Sequence, residues 1–211
     1  MRALIVLGGE APGGALLKSC MRDADLTIAA DSGLAAFDAA GLMPDLLVGD
    51  MDSVAPEVLS RYEGRLPEHR LSSIKDDTDG VDALDWAIAR GATHITLLGA
   101  LGGRLDHAMA NVMLLVRAHE KGAQARILSE TVRIARVDGE AVLSGAKGDT
   151  VSLVPLGEAR GVTLTGFFYP LNDHTLTSDY PLGVSNVVTQ DEATVSVAQG
   201  DLIMFHYYTA S

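Results

Sequence analysis

"LLVGDMDSV", residues 46–54, is the stretch that decides the fold. Leu46, Leu47 and Val48 form a short apolar run, as a fully buried strand requires. Gly49 ends the run, and Asp50 and Asp52 follow with one residue between them. In an open α/β sheet, ligands bind in the crevice outside the carboxyl ends of the strands. An apolar strand that finishes in two carboxylates fits that position.

The flanking sequence repeats the theme. "ALIVLGG" and "DLTIAADSG" read as two earlier strands, and "HITLLGALGG" as a later one, each closed by glycine or a small polar residue. Helical patterns lie between them. "LAAFDAAG" is Ala-rich and stops at Gly41. "TDGVDALDWAIARGA" places Val81, Leu84 and Ile88 on one face. "LDHAMANVMLLVRAHEKGA" places Leu105, Met109, Val112 and Val116 on one stripe. Strands alternating with helices predict an α/β region with a mainly parallel sheet over residues 1–125. From residue 126 the rhythm changes. "TVRIARV", "DTVSLVPL", "GVTLTGFFYPL" and "ATVSVAQGDLIMF" read as strands with partial period-2 alternation and no helix between them. Residues 126–211 are therefore expected to form a small all-β sandwich or barrel. Residues 55–70 have no expected role beyond a surface connection.

The composition narrows the chemistry. With 16 Lys and Arg against 28 Asp and Glu, the 211-residue chain has a formal net charge of −12 and no basic run. That argues against nucleic acid as a partner. The single Cys20 excludes an intramolecular disulfide and a Cys-rich zinc site. No apolar run reaches membrane-spanning length, and "MRALIVLGGE" reads as a first strand and not a signal peptide, so a cytoplasmic address and no membrane are expected.

Chemistry-bearing residues follow successive strands. "GGEAPGG" follows the first, but it has neither P-loop nor dinucleotide-fingerprint spacing. Asp31 follows the second, Asp50 and Asp52 the third, and Arg104, Asp106 and His107 the "HITLL" strand. "KDDTD" adds Lys75, Asp76, Asp77 and Asp79 ahead of a helix. Such carboxylates suit Mg²⁺, a hard cation that takes oxygen ligands and shares them with substrate phosphates. Arg104 would stabilise charge on a transferring phosphoryl group. Each residue also fits a plainer part. Asp31, Asp50, Asp79 and Asp106 are suited to turns or helix caps, His107 to a helix start, and Trp86 to packing.

Taken in order, "AADSG", "PDLLVGDMDS", "KDDTD" and "LGALGGRLDHAMAN" closely resemble the thiamine pyrophosphokinase (thiamine diphosphokinase) family. "GVTLTGFFYPL" and "LGVSN" look like that family's C-terminal motifs. The resemblance implies Mg²⁺-dependent transfer of a diphosphate group from ATP to the thiamine hydroxyl, giving thiamine diphosphate and AMP. It implies a homodimer with shared sites. It implies an α/β domain for ATP and metal, and a β domain completing the thiamine pocket. By motif, Asp31, Asp50, Asp52 and Asp79 would hold the metal. Lys75, Asp76, Thr78, Asp31 and Arg104 would hold ATP and its phosphates. Arg104, Asp106, Asp50, Asp52 and Asp79 would stand at the reacting centre, with Asp79 or Asp106 accepting the hydroxyl proton. Tyr169, Ser185 and Asn186 would meet thiamine, Tyr169 where some relatives carry Trp. Ser32 departs from the "ADGG" of many members, and His107 stands where others have Gln. Two readings from other classes are a non-catalytic thiamine- or nucleotide-binding regulator and a sugar-nucleotide transferase using "DMD" as its metal motif.

Overall fold

The computed structural model describes residues 1–70 and 78–208. Lys75, Asp76 and Asp77 lie outside the described residues. The chain forms two compact units, residues 1–130 and 131–211.

In the first unit, six strands pair only in parallel. They are β1 (Arg2–Val6), β2 (Leu26–Ala30), β3 (Leu46–Gly49), β4 (Glu68–Arg70), β5 (His94–Leu98) and β6 (Gln124–Leu128). Their order is β4-β3-β2-β1-β5-β6. The chain winds outward from β1 to β4, then returns to the other side of β1. Strand order therefore reverses between β1 and β5, where α/β sheets open their ligand crevice. The connections carry α1 (Gly14–Arg22), α2 (Leu34–Ala40), α3 (Pro56–Tyr62), α4 (Asp79–Ala89) and α5 (Leu105–Glu120). Leu4, Val6, Leu17, Ala29, Leu34, Phe37, Leu47 and Leu98 share one buried cluster. Strands this apolar on both faces read as continuous hydrophobic runs, because a parallel sheet is covered on both sides.

Two expectations for this unit change. Residues 55–70 are structured: they hold α3 and β4. The Arg61 guanidinium grips Asp38 of α2 through Nε at 2.8 Å and Nη2 at 2.5 Å, and the Tyr62 hydroxyl donates to the Leu42 carbonyl at 3.0 Å. The apolar stripe on α5 is also differently placed. Leu105 is 85% exposed and Met109 is exposed, whereas Leu114, Leu115 and Ala118 are buried. Apolar residues occupy more than one face of this helix, so periodicity alone does not choose the buried one. Packing against β6 and α4 does. Arg117 fixes that packing through two hydrogen bonds to Asp85 of α4, at 2.9 and 2.6 Å.

The second unit pairs only antiparallel strands, and no helix occurs among its described residues. The strands are β7 (Val132–Arg136), β8 (Glu140–Ser144), β9 (Thr150–Thr165), β10 (Leu171–Thr177), β11 (Asn186–Val187), β12 (Glu192–Ser196) and β13 (Gln199–Tyr207). Strand β9 belongs to two sheets: its first half pairs with β13 and β11, its second with β10 and β12. Val151, Leu153, Val162, Leu164, Val195 and Leu202 pack in the core between them. "DTVSLVPL" and "GVTLTGFFYPL" are thus one strand up to Thr165, not two. Gly157 and Gly161 carry its bends at φ of 87° and 66°, a region that disfavours other residues. Conversely, "ATVSVAQGDLIMF" divides into β12 and β13 at Val197–Ala198.

Candidate active site

The carboxyl ends of β1, β2, β3 and β5 meet through backbone contacts that only glycine permits. A Cβ on Gly33 would lie 2.0 Å from the Val6 carbonyl oxygen, and one on Gly99 2.2 Å from that of Leu7. The loop after β1 is tied across the topological switch to the loop after β5. Gly9 N–H donates to the Gly99 carbonyl at 2.8 Å, and Glu10 N–H to that of Leu101 at 2.6 Å. "GGEAPGG" is therefore a structural seam that brings the Arg104 loop to the sheet edge.

Asp31 opens the one-turn 3₁₀ segment after β2 with φ 46°, an unusual conformation for a residue with a side chain. It is only 7% exposed, and its Oδ1 has no hydrogen-bond partner among the described residues. Buried carboxylate oxygens are otherwise bonded or paired, so this one lacks a cation or a donor. Gly49, at the end of β3, packs directly on it: a Cβ there would stand 3.1 Å from the Asp31 Cβ. Asp50 follows. Its Oδ1 accepts the Asp52 N–H at 3.0 Å, forming a tight turn. Between them Met51, at φ 66°, plugs back into the buried cluster with Phe37 and Leu47. The strand thus ends in two carboxylates because the intervening apolar side chain anchors the turn, leaving Asp50 half-buried and Asp52 exposed.

Thr78 caps α4, its hydroxyl accepting Val81 N–H at 3.4 Å. Asp79 is accordingly the first helical residue, not the cap. A Cβ on Gly80 would stand 3.3 Å from Leu114 and 3.4 Å from Asn111 and Leu7, so this end of α4 packs closely on them. Asn111 itself donates to the Ala100 carbonyl at 2.8 Å, tying α5 to the switch loop. Sequence reasoning gave Asn111 no part, although it stands within the "HAMAN" motif.

Arg104 and Asp106 form an exposed two-pronged pair, Nε to Oδ1 at 3.1 Å and Nη2 to Oδ2 at 2.6 Å. The Arg104 guanidinium, helped by the His107 N–H, holds the Asp106 carboxyl down at about 2. So low a value makes Asp106 a poor proton acceptor near neutral pH. His107 is exposed, and its backbone N–H donates to Asp106 at 3.0 Å.

Among the described residues no three His, Cys, Asp or Glu side chains gather closely enough to enclose a metal. Mg²⁺ does not demand such a cage. It commonly binds through one or two carboxylates, several waters and substrate phosphates. The orphaned Asp31 oxygen beside the Gly49–Asp50 turn fits that mode.

In the second unit, Tyr169 is 66% exposed, and its ring meets that of Phe168 edge-to-face at 4.8 Å. Ser185 is exposed at φ 61°, its N–H held by the Ser152 hydroxyl at 3.0 Å. Asn186 is buried and already hydrogen-bonded to the Tyr169 backbone. The expectation for Asn186 is contact with thiamine; without ligand, its carboxamide bonds the Tyr169 and Val187 backbone.

The chain is similar to known proteins along most of its length. Residues 17–127 match the family model "Thiamin pyrophosphokinase, catalytic domain", and residues 133–202 match "Thiamin pyrophosphokinase, vitamin B1 binding domain". The chain is 33% identical over 183 residues to a thiamine pyrophosphokinase of Bacillus subtilis, covering 85% of this chain and 86% of that one. The crystal structure of thiamine pyrophosphokinase from Bacillus subtilis superposes with a TM-score of 0.85 at 28% identity, covering all of both chains. That of thiamin pyrophosphokinase from Geobacillus thermodenitrificans gives 0.84 at 30% identity, covering 100% of this chain and 99% of that one. With both family models matched in order and this overall likeness, the chain belongs to the thiamin pyrophosphokinase family.

Proposed function

We propose that the chain transfers the diphosphate group of ATP to the hydroxyl of thiamine, giving thiamine diphosphate and AMP, with Mg²⁺ held at the carboxyl edge of the parallel sheet. Family membership makes it an ATP-dependent diphosphotransferase. The observation that carries the site assignment is the buried, unpartnered Oδ1 of Asp31 beside the Gly49–Asp50 turn.

Asp31, Asp50, Asp52 and Asp79 are the carboxylates from which Mg²⁺ would draw its protein ligands, one or two to an ion, with water and substrate oxygens supplying the rest. The ion, when bound, offsets the negative polyphosphate and helps orient it. The protein's own part is mostly positioning and charge stabilisation. Arg104, Lys75, Thr78 and Asp76 bind ATP and its phosphates, the part that their family motif implies. The thiamine hydroxyl attacks the β-phosphorus, the bond to the α-phosphate oxygen breaks, and AMP leaves. Asp79 takes the hydroxyl proton. Both oxygens of Asp106 are already engaged by the Arg104 guanidinium, which favours Asp79 for that part. Tyr169, Ser185 and Asn186 belong to the thiamine subsite of the second unit, where Tyr169 offers an aromatic face that suits a cationic ring and Asn186 is bonded to the Tyr169 backbone. Residues 1–125 serve as the ATP and metal domain and 126–211 as the thiamine domain. The working form is a cytoplasmic homodimer with shared sites. Among the described residues no helix is long and apolar enough to cross a membrane.

A phosphorus NMR time course of the protein with ATP, Mg²⁺ and thiamine tests this reading. AMP and thiamine diphosphate should appear in equal amounts without ADP, and EDTA should stop both. ADP as product would mean attack on the γ-phosphorus and refute the proposal.

A further inference from the structure

Tyr169 lies in the turn between β9 and β10, in the sequence Gly166-Phe167-Phe168-Tyr169-Pro170. This stretch runs beside residues 186–189 in a short ladder. Thr189 N–H donates to the Gly166 carbonyl at 2.8 Å, and Phe168 N–H to that of Val187 at 2.9 Å. The next step is different. Tyr169 N–H donates to Oδ1 of Asn186 at 3.0 Å, and Nδ2 of the same carboxamide donates back to the Tyr169 carbonyl at 2.8 Å. Oδ1 also accepts Val187 N–H at 3.0 Å. A side chain has replaced one rung of backbone pairing.

The local chain explains why a side chain is needed. Ser185 turns away at φ 61°, its N–H committed to Ser152. Pro170, next after Tyr169, has no N–H to offer. The carboxamide orientation is fixed by its partners, since an N–H only donates and a carbonyl only accepts. Both lone pairs of Oδ1 and one of two Nδ2 protons are used, on a residue 7% exposed. Little is left for a ligand.

What the clamp holds is unusual. Phe168 and Tyr169 are 64% and 66% exposed, adjacent, and stacked edge-to-face with an interplanar angle of 82°. Two large aromatic rings standing in water at a turn are poorly placed for stability and well placed for recognition. A turn without fixed backbone would have to be ordered when a ligand bound, which weakens binding.

We propose that Asn186 is a positioning residue for thiamine recognition: its carboxamide clamps the Tyr169 backbone so that the Phe168–Tyr169 pair is presented preformed to the cationic ring. This rests on thiamine being the substrate. It removes Asn186 from the direct ligands and makes its effect travel through Tyr169.

The test is a double-mutant cycle on KM for thiamine with Asn186→Ala, Tyr169→Ala and the double variant. Asn186→Ala should raise KM for thiamine about tenfold, with the loss falling on that constant and not on kcat or on KM for ATP. In the Tyr169→Ala background the same change should add less than about twofold, because its route of action is gone. Additive losses, or a loss confined to kcat, overturn the proposal. If Asn186→Ala does not fold, Asn186→Asp keeps both acceptor bonds and enters the cycle in its place. Exchange of the Tyr169 amide proton reads the clamp without substrate. It should quicken about tenfold in the Asn186 variant while the β9–β13 ladder stays protected, and unchanged exchange refutes the clamp. A wild type that forms no thiamine diphosphate overturns the functional reading and the substrate half of this inference. Amide exchange then decides the clamp alone.

Discussion

The two ends of the β2–β3 strand pair each carry an aspartate, and the two are treated oppositely. At the amino end, Asp45 precedes β3 and its Oδ2 accepts both the backbone N–H and the hydroxyl of Thr27, each at 2.7 Å. The Thr27 hydroxyl in turn accepts Asp45 N–H at 3.0 Å. At the carboxyl end, Asp31 follows β2, is similarly close to the neighbouring strand, and leaves Oδ1 with no partner among the described residues. The same residue type closes one end of the strand pair and leaves the other poised. A satisfied carboxylate is structure. A buried, unsatisfied one is a cost that folding tolerates where a ligand recovers it.

That contrast can be broken by separating turnover from stability. Asp31→Asn should lower kcat by about 10²–10³-fold, the scale of losing one preorganised electrostatic contact, while the thermal midpoint holds or rises. Asp50→Asn should behave alike. Steady-state rates beside a melting curve decide it, and near-wild-type turnover in Asp31→Asn would take that residue out of the site. Asp45→Ala should do the reverse. It strands the Thr27 N–H and hydroxyl in a part-buried place and should cost about 1–3 kcal/mol of stability, with kcat unchanged in whatever fraction stays folded. An Asp45 variant that loses rate but not stability would erase the distinction between the two ends.

How much of this was readable beforehand follows from the same physics. The parallel sheet was legible because β1, β2, β3 and β5 are mostly apolar and glycine or aspartate closes or soon follows each. The positions of Asp31, Asp50 and Arg104 at strand ends followed from that alone. Helix α3 was not legible, since "PEVLSRY" is too short and polar to show a period, and its hold on α2 comes from the Arg61–Asp38 pair, 23 residues apart in sequence. The exposed face of α5 was misread because its apolar residues occupy more than one face. The extent of β9 was missed because its glycines look like turns, yet here they bend a strand that serves two sheets. The hydrogen bonds of Asn186 were not legible, since their partner Tyr169 lies 17 residues away in sequence.

A smaller effect sharpens the assignment of the proton acceptor. Arg104 holds the Asp106 carboxyl at about 2, below the ordinary value of 3.8, so its ionised form is favoured by folding. A depressed folded pKa gives a contribution that is present above pH 4 and lost only as pH falls through about 2. Asp106 therefore does not titrate between pH 4 and 9. Asp106→Asn should lower turnover by loosening Arg104, yet leave the midpoint of any acid limb in the kcat profile where it was. A midpoint that moves by a full unit would return Asp106 to the list of proton acceptors.

The smallest predicted effect concerns Ser32, the residue after Asp31 in the 3₁₀ turn that follows β2. A Cβ placed on Gly8 would lie 1.9 Å from the Ser32 Oγ and 3.2 Å from its Cβ, with the nearest backbone atom, the Gly33 nitrogen, 3.7 Å away. The conflict is thus with a rotatable hydroxyl, unlike that at Gly33, where the obstacle is the Val6 carbonyl. Gly8→Ala should accordingly cost only about 1 kcal/mol, the low end for overpacking, as the hydroxyl swings to another rotamer. In a Ser32→Gly background the obstacle is absent, and Gly8→Ala should be neutral or slightly stabilising through reduced freedom of the unfolded chain. Chemical denaturation of the four proteins in the cycle measures the coupling between these residues. A positive coupling means that Ser32 and Gly8 fit as a pair, so the serine is accommodated by the loop after β1 and leaves the Asp31 backbone undisturbed. Equal costs in both backgrounds would mean that Gly8 is required by its own backbone, and that Ser32 presses on the Asp31 turn instead.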